Sequence, residues 1–245
     1  MEKVGGGGDD GVCVPLMIDI NERGKIAAVF EKYRPEVVLH AAAYKHVPMV
    51  EANPEEGWRN NTEATKQLAE LAKEYGVKRF VLISTDKAVN PVSVMGQTKL
   101  AAEKAIMAMN LDESTSFCAV RFGNVLGSSG SVVPLFREQI ATLGFVTVTD
   151  PEMKRYFMTV SEAVSLVLQA ASRSEQAIYT LDMGEPVKIV DLAERMIMQA
   201  GFRPYVDVKL VFTGVRPGEK LFEEIDVSEK SCYKTDMAKI YITKT

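Results

Sequence analysis

Short apolar runs recur along this chain, at Val37-Val38-Leu39-His40, at Phe80-Val81-Leu82-Ile83 and at residues 117–121, and stretches with helical spacing separate them. That alternation constrains the fold more than any other feature. A run that is apolar at every position is buried on both faces, and parallel strands joined by crossover helices bury it in that way. A further apolar run at residues 12–18 ends in Asp19-Ile20 and reads as another strand. Helices are predicted over residues 22–33, with Ile26, Val29 and Phe30 on one face, over 54–75, with Leu68, Leu71 and Ala72 on one face, and over 96–109. Gly76 stands where a left-handed residue closes a helix.

The pattern changes after Asn124. Glycine and serine cluster at residues 127–130, and helices are predicted over 133–143, 161–172 and 189–199, with Thr159 or Ser161 capping the second. Short strands are expected at 146–149, 178–181 and 208–212, and the signal weakens from residue 227. Residues 1–11, polar and rich in glycine, read as a flexible tail. The expectation is a main parallel α/β domain over residues 12–124. Residues 125–245 form mainly a second lobe, with some segments returning to the sheet and a cleft between the two.

Composition narrows the classes. A formal net charge of −4 and a pI near 5.4 exclude a general nucleic-acid binder. Three widely spaced cysteines, Cys13, Cys118 and Cys232, suggest a reducing compartment and no disulfide framework. With two histidines and no Cys-x-x-Cys, a metal site is not expected. No apolar run reaches the roughly 18 residues of a membrane helix, and no signal peptide is read, so the expected location is the cytoplasm.

Residues 84–99 carry the chemistry. Ser84-Thr85-Asp86-Lys87 stands where the Phe80 strand should end, and Lys99 follows Lys87 by twelve residues on the first turn of a helix. In a parallel sheet, ligands sit beyond the carboxyl ends of the strands, so Thr85, Asp86, Lys87, the 41–45 segment and Asn124 should share one edge. A Ser-Thr-Asp run also serves as an ordinary turn or helix cap. The addition of Lys99 and the alanine turn weighs against that plain reading.

The order strand, reactive cluster, helix lysine resembles the active site of short-chain dehydrogenase/reductases. That superfamily has Tyr four residues before the lysine, where this chain has Met95. The runs His40 to Pro48, Ser84 to Lys99, Arg121 to Ser128, Tyr156 to Thr159, Leu181 to Pro186 and Arg216 to Leu221 resemble the nucleotide-sugar 4,6-dehydratases of bacterial polysaccharide biosynthesis. Thr-Asp-Lys together with Met in the tyrosine position is similar to the UDP-N-acetylglucosamine 4,6-dehydratase branch. The resemblance implies a Rossmann-like doubly wound parallel sheet with a smaller C-terminal substrate lobe, NAD as cofactor, a UDP-sugar as substrate and a homo-oligomer.

It also implies roles. Lys87 is the base at C5 and must be neutral to act; Asp86 is the acid at the C6 hydroxyl. The cations that favour a neutral Lys87 hold Asp86 ionised, so the two demands oppose each other. Thr85 bonds the C4 hydroxyl, relaying its proton to Asp86 or to solvent because Met95 cannot carry one. Lys99 holds the nicotinamide ribose, and Asn61 orders it. Asp19, Ile20, Ala41, Ala42, Ala43 and Lys45 join Asn61 and Lys99 at the cofactor. Asn124, Arg155 and Arg216 serve the nucleotide diphosphate, Glu219 a ribose hydroxyl, and Val133, Pro134 and Thr147 the uracil. Residues 12–19 correspond to the third strand of the family, so the first strands and the glycine-rich loop are expected to be missing and the chain truncated. The formal Gly6, Gly8, Gly11 match has no strand before it and no helix after it, which makes it a decoy. Little NAD binding or dehydratase activity is therefore expected of this chain alone.

Overall fold

The computed structural model describes residues 12–109, 115–225 and 227–244. The tail and the formal glycine match lie outside them. In chain order the elements are α1 (Arg23–Tyr33), β1 (Val37–His40), α2 (Val47–Ala52), α3 (Pro54–Trp58), a π-helical stretch (Arg59–Glu63), α4 (Ala64–Glu74), β2 (Arg79–Ile83), a 3-10 turn (Asp86–Ala88), α5 (Val94–Met107) and β3 (Ser116–Arg121). The second half supplies β4 (Asn124–Val125), α6 (Val132–Thr142), β5 (Phe145–Val148), β6 (Lys154–Arg155), β7 (Phe157–Met158), α7 (Val160–Ala171), β8 (Ala177–Leu181) and β9 (Val187–Lys188). Then follow α8 (Ile189–Gln199), β10 (Lys209–Phe212), β11 (Cys232–Lys234) and β12 (Ile240–Thr243).

The main sheet has six strands in the order β1-β2-β3-β8-β12-β11. The first four run parallel, and β12 and β11 close the far side antiparallel. The apolar runs of β2 and β3 are buried as a two-sided sheet requires, whereas β1 leaves Val37 and Leu39 about half exposed. Phe80 and Leu82 of β2, with Phe117 and Ala119 of β3, pack under Phe30, Leu68, Ala102 and Ile106 of the helices on one face. Val81, Cys118 and Val120, the alternate positions, pack under Ala163, Leu166 and Val167 of α7 on the other. Strand side chains alternate between faces, so an unbroken apolar run is what two cores demand. A separate core, centred on Phe136, Val146, Ile189 and Ile197, joins α6, α8, β5 and β10 into the lobe across the cleft.

Three expectations change. Residues 12–18 form no strand and are mostly exposed. A strand needs a hydrogen-bonding neighbour. Among the described residues β1 is bonded to β2 alone, and no strand pairs with its other edge. The helix expected over 54–75 is broken by the π-helical stretch, which buries Asn60, Asn61 and Thr62. The weak signal after residue 227 conceals β11 and β12, whose core contribution is Ile240 beside Tyr179 and Leu181. Gly76 closes α4 as expected, at φ 70°.

Candidate active site

The site grows from the end of β2. Beyond Ile83 the chain stays beside the extension of β3, with Ser84 N donating to Val120 O at 2.8 Å and Asp86 N to Phe122 O at 3.1 Å. Thr85 is extended, and its hydroxyl accepts from Lys87 N at 3.3 Å to start the 3-10 turn. That turn aims three functional side chains at one place. Thr85 Oγ1 donates to Asp86 Oδ1 at 2.9 Å, and Lys87 Nζ donates to the same oxygen at 3.0 Å. Asp86 Oδ2 is buried without a hydrogen-bond partner. It lies against Gly123, where a Cβ would stand only 2.9 Å from it.

Ser93 caps α5 by accepting from Gly96 N at 3.0 Å, which sets the helix so that Lys99 reaches back to the strand. Lys99 Nζ donates to Ile83 O at 2.7 Å. Burial lowers the Lys99 amine to about 8, against the opposing pull of Glu103. Glu103 itself is buried, bonded to Arg121 and to Ser84 Oγ. Met95 is buried against Val47 and Val50. Asn61, held by the π-helical stretch, accepts from Tyr44 N at 2.7 Å and donates to Tyr44 O at 3.0 Å and Thr98 Oγ1 at 3.1 Å. It therefore ties the loop after β1 to α5, one residue from Lys99.

A cavity of about 700 Å³ opens between the sheet edge and the C-terminal lobe. Ala41, Ala43, Lys45, Thr85, Lys87, Met95 and Lys99 line it from the sheet side, and Asn124, Thr147, Arg155, Arg216 and Glu219 from the other. Asn61 and Asp86 are buried behind this lining, while Ala42, Val133 and Pro134 are not part of it; Val132 and Leu135, beside the last two, line the space instead. Asp19 and Ile20 are away from it; Asp19 holds Asn21, whose amide reaches Asn60. Arg155 reaches the wall, but its guanidinium is committed to the carbonyls of Lys154, Lys220 and Leu221. Glu219 Oε1 pairs with Arg216 at 2.7 Å, while its Oε2 is buried without a partner. A shallower groove between α4 and α5, lined by Lys66, Glu70 and Ala105, gathers no such set of reactive groups.

The sequence reading missed Glu223. Its carboxylate is buried with Oε1 3.4 Å from Lys87 Nζ and 3.8 Å from Arg155 Nε. Beside it in the chain stands Glu224, which is exposed, and nothing local distinguishes the two glutamates. Among the described residues no cluster of His, Cys, Asp or Glu is placed to hold a metal, and no helix is long and apolar enough to cross a membrane.

The profile of the polysaccharide biosynthesis protein family matches residues 9–245. The chain belongs to that family. It is 55% identical over 214 residues to the capsular polysaccharide biosynthesis protein CapD of Staphylococcus aureus, a match covering 86% of this chain and 36% of CapD. It is 35% identical to a UDP-N-acetylglucosamine 4,6-dehydratase (inverting) of Campylobacter jejuni, over 89% of this chain and 64% of that protein. A UDP-glucose 4-epimerase of Rickettsia bellii is also 35% identical, over 84% of this chain and 60% of that one. The chain thus spans about a third to two thirds of the length of these relatives.

Among solved structures, Pen from Bacillus thuringiensis superposes with a TM-score of 0.85 at 32% identity, covering 93% of this chain and 70% of that chain. MoeE5 in complex with UDP-glucose and NAD gives a TM-score of 0.72 at 25% identity, covering 83% and 73%. These likenesses show that the chain shares its overall α/β fold with both structures.

Proposed function

We propose that this chain carries the catalytic and sugar-nucleotide half of an NAD-dependent 4,6-dehydratase acting on UDP-N-acetylglucosamine or a related UDP-sugar. The observation that carries the reading is the shared oxygen of Asp86, which accepts from both Thr85 and Lys87 at the cavity wall, with Met95 in the tyrosine position.

The residues present fit the nicotinamide end of NAD. Lys99 is buried and lines the cavity beside Ala41 and Ala43. NAD held there by Lys99 and the 41–43 turn would supply hydride acceptor and donor chemistry. This chain's residues move the protons. Thr85 Oγ1 takes the C4 hydroxyl proton as it gives its own to Asp86 Oδ1, so a two-step relay stands in for the tyrosine. Asp86, now protonated, gives that proton to the departing C6 hydroxyl, which leaves as water. Lys87, as the free amine, takes the C5 proton and gives it back to C5 when C6 is reduced. Lys87 first releases its ammonium proton to solvent and regains one after the cycle, so at the elimination the Asp86–Lys87 pair, 3.0 Å apart, holds only the C4 proton, on the carboxyl. The opposing demands on the two groups are met by sharing. The C4 proton ends in water, the C5 proton returns to carbon, and both groups finish as they began.

The substrate side fits a nucleoside diphosphate. Arg216 and Lys45 bring positive charge to the cavity, and the unpartnered Oε2 of Glu219 is an acceptor for a ribose hydroxyl. The 4-epimerase reading draws on the Rickettsia relative; Met95 counts against it, because epimerases in this superfamily use the tyrosine. Incubation with UDP-N-acetylglucosamine and NAD⁺ tests the proposal. A 4-keto-6-deoxy product, absent with Lys87→Ala, supports it; a C4 epimer, or turnover that survives Lys87→Ala, overturns it. A second reading, sugar-nucleotide binding without turnover by these residues alone, is favoured by the bare edge of β1, where the family's NAD-binding strand would lie.

A further inference from the structure

We infer that Glu223 is a positioning residue for Lys87, brought to it by a strap of residues 216–225; the inference rests on Lys87 being the base of the proposed reaction. Glu223 is 8% exposed, whereas Glu224 points outward to Asn90 and Lys220. The backbone on either side is clamped. Arg155 bonds the carbonyls of Lys220 at 2.8 Å and Leu221 at 3.1 Å, and Lys154 N donates to Leu221 O at 3.1 Å. Lys220 Nζ reaches across to Val89 O, just after the 3-10 turn, at 3.1 Å. The strap is thereby fastened both to β6 and to the turn that carries Asp86 and Lys87.

A carboxylate is expensive to remove from water unless cations face it. Two do here, Lys87 and Arg155. A carboxylate placed only to cross-link the strap would have both oxygens bonded, yet Glu223 Oε2 is buried with no partner. The consequence falls on the lysine. Its amine sits on a flexible four-carbon stem with three donor positions. Asp86 Oδ1 takes one at 3.0 Å and Glu223 Oε1 faces another at 3.4 Å, which leaves the remaining position for the cavity that Lys87 lines. Without Glu223 the amine would follow Asp86 alone. The same strap carries Arg216 and Glu219 to the cavity, so the nucleotide-contacting residues and the residue that aims the base move as one piece.

The test needs neither NAD nor turnover. Timed acylation of the 245-residue chain with acetic anhydride at pH 8, read by peptide mass spectrometry, gives the labelling of Lys87 relative to exposed Lys66. Removing Glu223's carboxylate unties the amine from the buried wall, so Glu223→Gln is expected to raise that ratio about tenfold. Glu224→Gln should leave it within about twofold, because an exposed charge is well screened. An unchanged ratio in folded Glu223→Gln overturns the inference. If that variant does not fold, Glu223→Asp asks the same question one methylene shorter: a rise of about threefold supports the inference, and no rise overturns it. Where the chain turns over substrate, Glu223→Gln should lower kcat and leave KM unchanged, and a KM effect alone would count against positioning. Absence of turnover in the unsubstituted chain agrees with its expected weak NAD binding, and the labelling ratio still decides about Glu223.

Discussion

His40 shows how one residue ties stability to pH. It ends β1, is buried, and bonds Thr65 Oγ1 at 2.8 Å. Burial, with a smaller push from Lys99, lowers its imidazole from 6.5 to about 4. The unfolded chain therefore binds a proton between those values that the folded chain refuses, and stability falls as pH drops from 6.5 towards 4. The His40 contribution is about 3 kcal/mol at the acid end. His40→Gln should flatten that part of a urea-midpoint against pH curve relative to the unsubstituted chain; parallel curves would refute it. Gly123 is the second case. A Cβ there would stand 2.9 Å from Asp86 Oδ2 and 3.0 Å from Met183 Sδ, so the buried Asp86 side chain would have to shift. Gly123→Ala is expected to lose about 1–3 kcal/mol in chemical denaturation and to lower kcat more than it raises KM. Wild-type turnover in the alanine variant would show that Asp86 tolerates displacement.

At the scale of elements, the unit that matters is β2, its turn and α5. This unit was legible in sequence because each part has a local cause: an unbroken apolar run, a Thr85 cap, a Ser93 cap and a lysine one turn into the helix. The π-helical stretch was not legible. Its cause is the fit of buried Asn61 to both Tyr44 and Thr98, which lie in distant parts of the chain. Met95 sits between these elements, packed on Val47 and Val50 of α2. Restoring the superfamily's residue as Met95→Tyr would press a larger ring and a hydroxyl into that contact, with an expected loss of about 1–3 kcal/mol. A thermal melt checks it; an unchanged midpoint would mean that the ring finds room in the cavity. The same unit explains Glu223: adjacent glutamates look alike in sequence, and only the clamping of the strap by Arg155 and Lys220 buries one of them.

For the whole molecule, the two edges of the sheet differ. On one side β12 and β11 cover β8, and Ile240 joins Tyr179 and Leu181 in the core. Removing residues 228–245 would strip β8 of its antiparallel neighbour β12, leaving only β3, and is expected to abolish cooperative unfolding; a truncated chain with an unchanged melting midpoint would contradict this. On the other side β1 is bare among the described residues, with Val37 52% and Leu39 49% exposed. The described residues also hold no strand, glycine turn and helix in succession to receive a pyrophosphate beside β1. NAD⁺ titrated calorimetrically into this 245-residue chain should bind weakly or not at all, and micromolar affinity would refute that.

Sequence by itself determined the parallel sheet, most of its helices and the place of the reactive cluster. These follow from local causes: continuous apolar runs that need two covered faces, caps at helix starts, and polar residues at strand ends. Tertiary structure alone decided which apolar runs become strands and which charges become buried. Residues 12–18 have the composition of a strand and no bonded strand beside them, while Cys232–Lys234 and Ile240–Thr243, each only three or four residues long, find partners in each other and in β8. The shared oxygen of Asp86 and the Glu223 carboxylate behind Lys87 likewise depend on where distant segments come to rest. A backbone hydrogen bond or a buried charge is a property of two groups, and a sequence shows them only one at a time.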